Sequence, residues 1–162
     1  MPRFLLWATL AAALVIALLL HVQSGVFSGF FQPGCQTVLC CEDCRSIEVS
    51  RVIDGDTFDS PAGRVRLFGV DTPERGEGCY RQATERLDEL AGDTVRVEQG
   101  PRDRDRSGRL LFHVYTENRE SIGEKLIQEG LVHAWTQDGQ HRDFLVGLAE
   151  QAQQDSNGCL WQ

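Results

Sequence analysis

Apolar positions along the chain fall into three regimes. From Phe4 to Leu20 the sequence FLLWATLAAALVIALLL is apolar without a break. As a helix this run would span roughly 25 Å, a little under a bilayer's hydrocarbon core. It is apolar on every face, unlike an amphipathic surface helix. From His21 to Gly34 (HVQSGVFSGFFQPG) Gly and Ser mix with phenylalanines, which reads as a spacer whose aromatic rings suit a membrane interface. From Ser46 onward, short stretches alternate apolar and polar residues, the period of half-buried strands.

Those stretches predict the elements in order. IEVSRVI (47–53), the Asp54-Gly55 turn and Asp56-Thr57-Phe58 read as two strands joined by a tight turn. A third strand, 64–70, follows Pro61-Ala62-Gly63 and ends before Pro73, which cannot donate to a ladder. Tyr80, Ala83, Leu87, Leu90 and Ala91 recur at helical spacing, so 80–91 is a helix closed by Gly92. TVRVEQ (94–99) is a fourth strand, GPRDRDRSGR (100–109) a charged loop, and LLFHVYT (110–116) a fifth strand. Ile122, Leu126 and Ile127 place a helix at 121–129, stopped by Gly130. Phe144, Leu145, Leu148, Ala149 and Ala152 define the last helix, which fades at Ser156-Asn157-Gly158. The pattern is α+β: a five-stranded OB-fold barrel with three helices, preceded by one N-terminal transmembrane or signal-anchor helix. The expected organisation is a signal anchor or signal peptide at 1–21, a Gly/Phe/Cys-rich linker at 22–45, and a folded domain at 46–162.

Charge adds an orientation. Arg3 precedes the apolar run and no charged side chain follows until Glu42, so the positive-inside rule leaves the N-terminus in the cytoplasm and the domain outside. Val22-Gln23-Ser24 is a weak cleavage site, which favours a retained anchor over a cleaved signal peptide; both export the domain. With 16 Lys+Arg against 24 Asp+Glu the formal net charge is −8, and Lys125 is the only lysine. Such a chain has no general basic field for a polyanion, so any nucleic-acid binding must come from a local cluster or a bridging metal. The same composition also suits a salt-rich habitat, where charge is screened. An even number of cysteines in an exported domain suggests disulfides. Cys35, Cys40, Cys41 and Cys44 crowd into CQTVLCCEDC, where zinc binding is the competing reading, although the spacing matches no two-knuckle pattern.

Candidate chemistry concentrates in a few residues. Asp56 follows the Asp-Gly turn and Asp71 ends the third strand; at one barrel mouth they would offer a hard divalent cation such as calcium its oxygen ligands. Glu74 lies just beyond, across Pro73, as a spare carboxylate, and Arg66 and Arg109 are cations able to face the site. Metal carboxylates, a spare carboxylate and two arginines suit phosphodiester hydrolysis, with arginine chosen for its planar donor fork. Each residue taken alone fits an ordinary turn or surface ion pair equally well.

Together, VIDGDTF (52–58), VRLFGVDTPE (65–74), DRSGR (105–109), GEKLIQEGLVHAW (123–135) and the closing Leu160-Trp161 resemble the thermonuclease family, that of staphylococcal nuclease, over Ser46 to Trp161. The resemblance implies an OB-fold domain that cleaves DNA and RNA with calcium, cutting the P–O5′ bond and leaving 3′-phosphates. It implies that Asp56, Asp71 and the backbone carbonyl of Thr72 hold the metal, that Glu74 is the general base, and that Arg66 and Arg109 bind the phosphate. It also shows departures: a short loop from Arg75 to Cys79, Arg106 and Ser107 where the family has lysine and tyrosine, and His133, Trp135 and Thr136 in place of flanking tyrosines. Arg106 can still meet a phosphate, and Trp135 either stacks on a base or belongs to the core. His113 reads as structural, His21 and His141 as incidental. The expectation is an exported monomeric endonuclease, membrane-held or secreted. A catalytically dead OB-fold binding module is the alternative, which the presence of all five side chains disfavours. Cys79 and Cys159, left over from the 35–44 cluster, are expected to pair with each other.

Overall fold

The computed structural model describes residues 35–162, which form one compact unit. The expected signal anchor and the spacer up to Gly34 lie outside the described residues; among those described, no helix is long and apolar enough to cross a membrane. The elements are β1 (Arg45–Glu48), β2 (Arg51–Asp54), β3 (Thr57–Ser60), β4 (Gly63–Leu67), β5 (Val70–Asp71), α1 (Tyr80–Ala91), β6 (Thr94–Arg104), β7 (Leu110–Tyr115), α2 (Ile122–Gln128), β8 (His133–Ala134) and α3 (Arg142–Gln154). Six strands form one sheet in the order β1-β6-β7-β4-β3-β2, antiparallel except for β4 against β7, and β5 pairs with β8 apart from it.

The α+β class and the three helices stand, while the five-strand count is corrected. The stretch IEVSRVI is two strands, because the chain changes partner in its middle. The Val49 N–H donates to the Asp93 carbonyl (3.0 Å) and the next amide, Ser50, to Asp59 (2.8 Å). β1 therefore pairs with β6 and β2 with β3, which makes the sheet's two edges neighbours in sequence and curls it into a half-barrel. The charged loop expected at 100–109 is also shorter. β6 continues to Arg104, slipping register after Gln99 so that Arg104 faces Leu110. Its outer residues are exposed, so the extension carries no apolar alternation.

The core lies inside the curl. Phe58, Val65 and Leu67 from β3 and β4 meet Val95 and Phe112 from β6 and β7, covered by Leu87 of α1, Leu126 of α2 and Leu145 of α3. Each is at most 2% exposed. Burying a side chain of this size contributes about 1.5–3 kcal/mol.

Residues 35–44 form a strap over the start of α2. Ser121 caps that helix by accepting the Glu124 N–H (3.2 Å), the spacing of a capping box. Glu124, only 1% exposed, does not return the bond: its carboxylate oxygens accept the Val38 and Leu39 amides, each at 2.8 Å. The strap completes the exchange, since Thr37 Oγ1 accepts the Ser121 N–H at 3.0 Å. The cysteine sulfurs pair as Cys35–Cys40, Cys41–Cys44 and Cys79–Cys159, the last with its Cα atoms 5.5 Å apart, within bonding reach.

A polar cluster also lies at the end of the sheet near α3. His113 on β7 is 5% exposed, edge-on to Phe68 and to His141, whose ring centroid is 4.6 Å away. His141 Nε2 lies 3.3 Å from Glu98 Oε2, which also accepts the Tyr115 hydroxyl at 2.5 Å. Burial, reinforced by the His141 charge, pushes His113 down to about 4. Burial works to raise Glu98, but the bonds from Tyr115 and His141 hold its carboxyl below the ordinary range. His141 thus belongs to a half-buried network and is not incidental.

Candidate active site

Two turns and one strand end build the site. The tight turn between β2 and β3 carries Asp56, and Gly55 lets it sit close: a Cβ there would lie 2.6 Å from Thr72 Cγ2 and 2.7 Å from Ala83 Cβ. Asp56 is buried; its Oδ1 accepts the Thr57 hydroxyl (2.8 Å) and its Oδ2 the Thr72 N–H (3.1 Å). The segment after β4 is thereby tied to the β2–β3 turn, which brings together residues far apart in sequence.

Arg66 joins the two candidate metal carboxylates. Its Nη1 lies 3.3 Å from Asp56 Oδ2 and its Nη2 2.8 Å from Asp71 Oδ1. Nη1 also donates to the carbonyls of Leu67 and Val70, so the guanidinium is locked by backbone as well as charge. Asp54, Asp56, Asp71, Thr72, Glu74, Tyr80, Arg66 and Arg109 line one polar cleft. Glu74 is exposed on the rim; its backbone N–H is held by Glu77 Oε2 at 2.7 Å.

The cleft is rich in carboxylate oxygens. All its candidate donors are hard oxygens, as calcium prefers. Burial, with the neighbouring Asp56 charge, raises Asp54 above its ordinary value. Thr72 Oγ1 is buried without a hydrogen-bond partner. No three Asp, Glu, His or Cys side chains among the described residues converge as a metal cage; Asp56 and Asp71 both line the cleft, joined there by Arg66.

Arg109 is placed by a residue that the sequence reading did not single out. Asp105 Oδ1 accepts the backbone amides of Ser107 and Arg109, both at 2.9 Å, and Oδ2 accepts Arg109 Nε at 2.6 Å. Asp105 thus shapes the turn and aims the arginine. Burial works against its charge, yet its bonds to Arg109 hold its carboxyl low. Arg109 Nη1 reaches Thr57 Oγ1 at 3.4 Å, completing a chain from Asp105 through Arg109 and Thr57 to Asp56.

Trp135 and Arg106 differ in placement. Trp135 is half-buried, donates from Nε1 to Asp138 Oδ1 (2.9 Å), and lines a second, largely apolar cleft with Phe68, Leu111, Arg66 and Arg109. Arg102, ion-paired to Asp138 and 5.6 Å over the Phe68 ring, borders it. Arg106 is exposed on the Asp105–Gly108 turn and lines neither cleft.

The family description "Staphylococcal nuclease homologue" matches residues 64–162, more than half of the chain. The chain belongs to the staphylococcal nuclease family. Among its relatives, an endonuclease of Escherichia coli O157:H7 is 34% identical over 127 residues, covering 75% of this chain and 79% of that one. The thermonuclease of Staphylococcus hyicus is 33% identical over 135 residues, 76% and 75% of the two chains. That of Staphylococcus intermedius is 36% identical over 131 residues, 73% and 77%. Within this nuclease family, the segment from Arg66 to Glu74 carries Arg66, Asp71, Thr72 and Glu74 in nine residues, and the fold adds Asp56 and Arg109 from either side.

Proposed function

We propose that the domain is an exported, calcium-dependent endonuclease that hydrolyses phosphodiester bonds of DNA and RNA to 3′-phosphate products, acting as a monomer. The observation that carries it is Arg66 held between Asp56 and Asp71 in the same cleft as Glu74 and Arg109. Asp56, Asp71 and the Thr72 carbonyl would hold the calcium, which when bound supplies positive charge to a phosphoryl oxygen. Glu74, exposed at the rim, takes the proton of the attacking water. Arg66 and Arg109 bind the phosphate and stabilise the charge that builds on it as the P–O5′ bond breaks and the 5′-oxygen leaves. Trp135 offers a stacking wall for the adjacent base, and Arg106 a phosphate contact from the loop tip. The N-terminal apolar run would hold the domain on the outer face of the membrane, or be cleaved to release it; three disulfides suit that compartment.

The test is plasmid cleavage with calcium and then with excess chelator, followed by analysis of the product ends. Calcium-dependent cuts with 3′-phosphate ends are expected. Full activity in chelator, or with zinc alone, overturns the metal assignment. Binding without cleavage under every metal condition would leave the binding module as the function.

A further inference from the structure

Arg109 borders three clefts. Two are the polar cleft with Glu74 and the apolar cleft with Trp135; the third is lined by Asp59, Arg64, Ser107, Gly108 and Arg109. A polynucleotide whose scissile phosphate sits on Arg66 and Arg109, with one base against Trp135, must leave the site in a further direction. We propose that this third cleft is a second phosphate subsite, in which Arg64, backed by Arg51, binds the phosphodiester next to the scissile one. The proposal rests on the nuclease reading above and adds to it the path of the strand.

The geometry comes from the strand. Arg64 and Arg66 are two apart on β4, so both project from the face opposite the buried Val65 and Leu67. Two residues of strand advance roughly 6.7 Å, a separation that neighbouring phosphates of an extended single strand can match. Across the sheet, Arg51, Asp59 and Arg64 lie in register on β2, β3 and β4. Asp59 Oδ1 accepts Arg64 Nε at 2.8 Å and its Oδ2 accepts Arg51 Nη2 at 3.0 Å. Two guanidiniums therefore share one carboxylate, leaving one positive charge beside the active cleft of a protein whose formal charge is −8.

Stability gives a poor account of this row. Arg51 and Arg64 side chains are 70% and 50% exposed, and ion pairs so placed add little to stability. Recognition gives a better one. Asp59 engages Nε and Nη2 of Arg64, which orients the fork and leaves Nη1 to donate to a phosphate. The Ser107-Gly108 turn, shaped by Asp105, forms the opposite wall beside Arg109.

The test separates binding from cleavage. In a Glu74→Gln background with calcium, binding of fluorescent short single strands of deoxythymidylate and of uridylate is titrated against salt, and a mononucleotide is measured alongside. With Arg64→Gln added, strand affinity is expected to fall about 3–10-fold and the salt slope by about 0.7, one phosphate contact on a single strand. Both sugars should respond alike, because the backbone is what is bound, and the ratio of strand to mononucleotide affinity should fall. Asp59→Asn should do the reverse, tightening strand binding by freeing both arginines. An unchanged slope in Arg64→Gln, or weaker binding in Asp59→Asn, overturns the subsite. Cleavage by the wild type is scored separately. Strand binding with these shifts but no cleavage overturns the nuclease reading and keeps the subsite. Cleavage with an unshifted slope overturns the subsite alone.

Discussion

The cluster around His113 and the cluster around Asp56 each gather several ionisable groups, yet they are wired in opposite ways. At His113 the chemistry is closed: Glu98 receives the Tyr115 hydroxyl and His141, and burial keeps the His113 ring neutral. At Asp56 it is open. Asp54, Asp56, Asp71 and Glu74 share a cleft with two guanidiniums, Arg66 paired to Asp56 and Asp71 and Arg109 to Asp105 outside the set. Closed charge contributes to holding the fold, whereas charge left in excess is a capacity to bind a cation and what the cation brings.

The sharpest way to break this comparison is to neutralise one member of each cluster. Glu74→Gln is expected to lower plasmid cleavage by about 10²–10⁴ while leaving the melting temperature within a degree or so of wild type. Arg66→Ala and Arg109→Ala should cost comparable amounts. Wild-type cleavage rates in Glu74→Gln would remove its assigned role.

The second effect is read against pH. Folded, His113 stays neutral down to about 4; unfolded, it takes up a proton near 6.5. Between those values the unfolded chain binds the extra proton, so the contribution is fully present above 6.5 and is lost as pH falls towards 4, by up to about 3 kcal/mol. Glu98, held low, adds its own loss only below its ordinary 4.5. Denaturant unfolding of His113→Phe against wild type from pH 7 to 4 checks the sign; parallel curves would show that His113 carries none of the slope. At neutral pH, Glu98→Ala leaves the Tyr115 hydroxyl and His141 without their acceptor and should cost about 1–3 kcal/mol, with cleavage retained. The smallest effect belongs to Asp54→Asn. Because burial and Asp56 disfavour its charge, the variant should melt higher than wild type without metal and gain less on adding calcium. A lower metal-free melting point would show that the open cluster is not overcharged.

What could be read from the sequence divides along the same line. Asp56, Asp71, Glu74, Arg66 and Arg109 sit at strand ends and turns that local pattern marks, and the fold brings all five to one cleft. Asp105 hid in a charge-rich loop where every residue looks solvated, because its role depends on a bond to its own neighbour four residues on. The break at Val49–Ser50 left no trace, since the alternation runs through it and only the change of partner strand divides it. The exposed half of β6 lacked a hydrophobic face for the same reason that its residues reach the solvent. His141 looked incidental because its partners are on β6 and β7, about forty and about thirty residues back.

The grip of Glu124 on Val38 and Leu39 bears on where the chain can be cut. Strand alternation begins at Ser46, and a recombinant domain designed from that pattern would start there. It would discard the two amides that hold Glu124 and the Thr37 hydroxyl that serves the start of α2. Glu124 would lose those donors together with the strap residues that cover it, keeping only the Gln128 side-chain amide at 3.2 Å, and the start of α2 would lose its cover with it. A domain begun at Gly34 keeps the whole strap with both of its cysteine pairs, and is the version to make for crystals, assays or display.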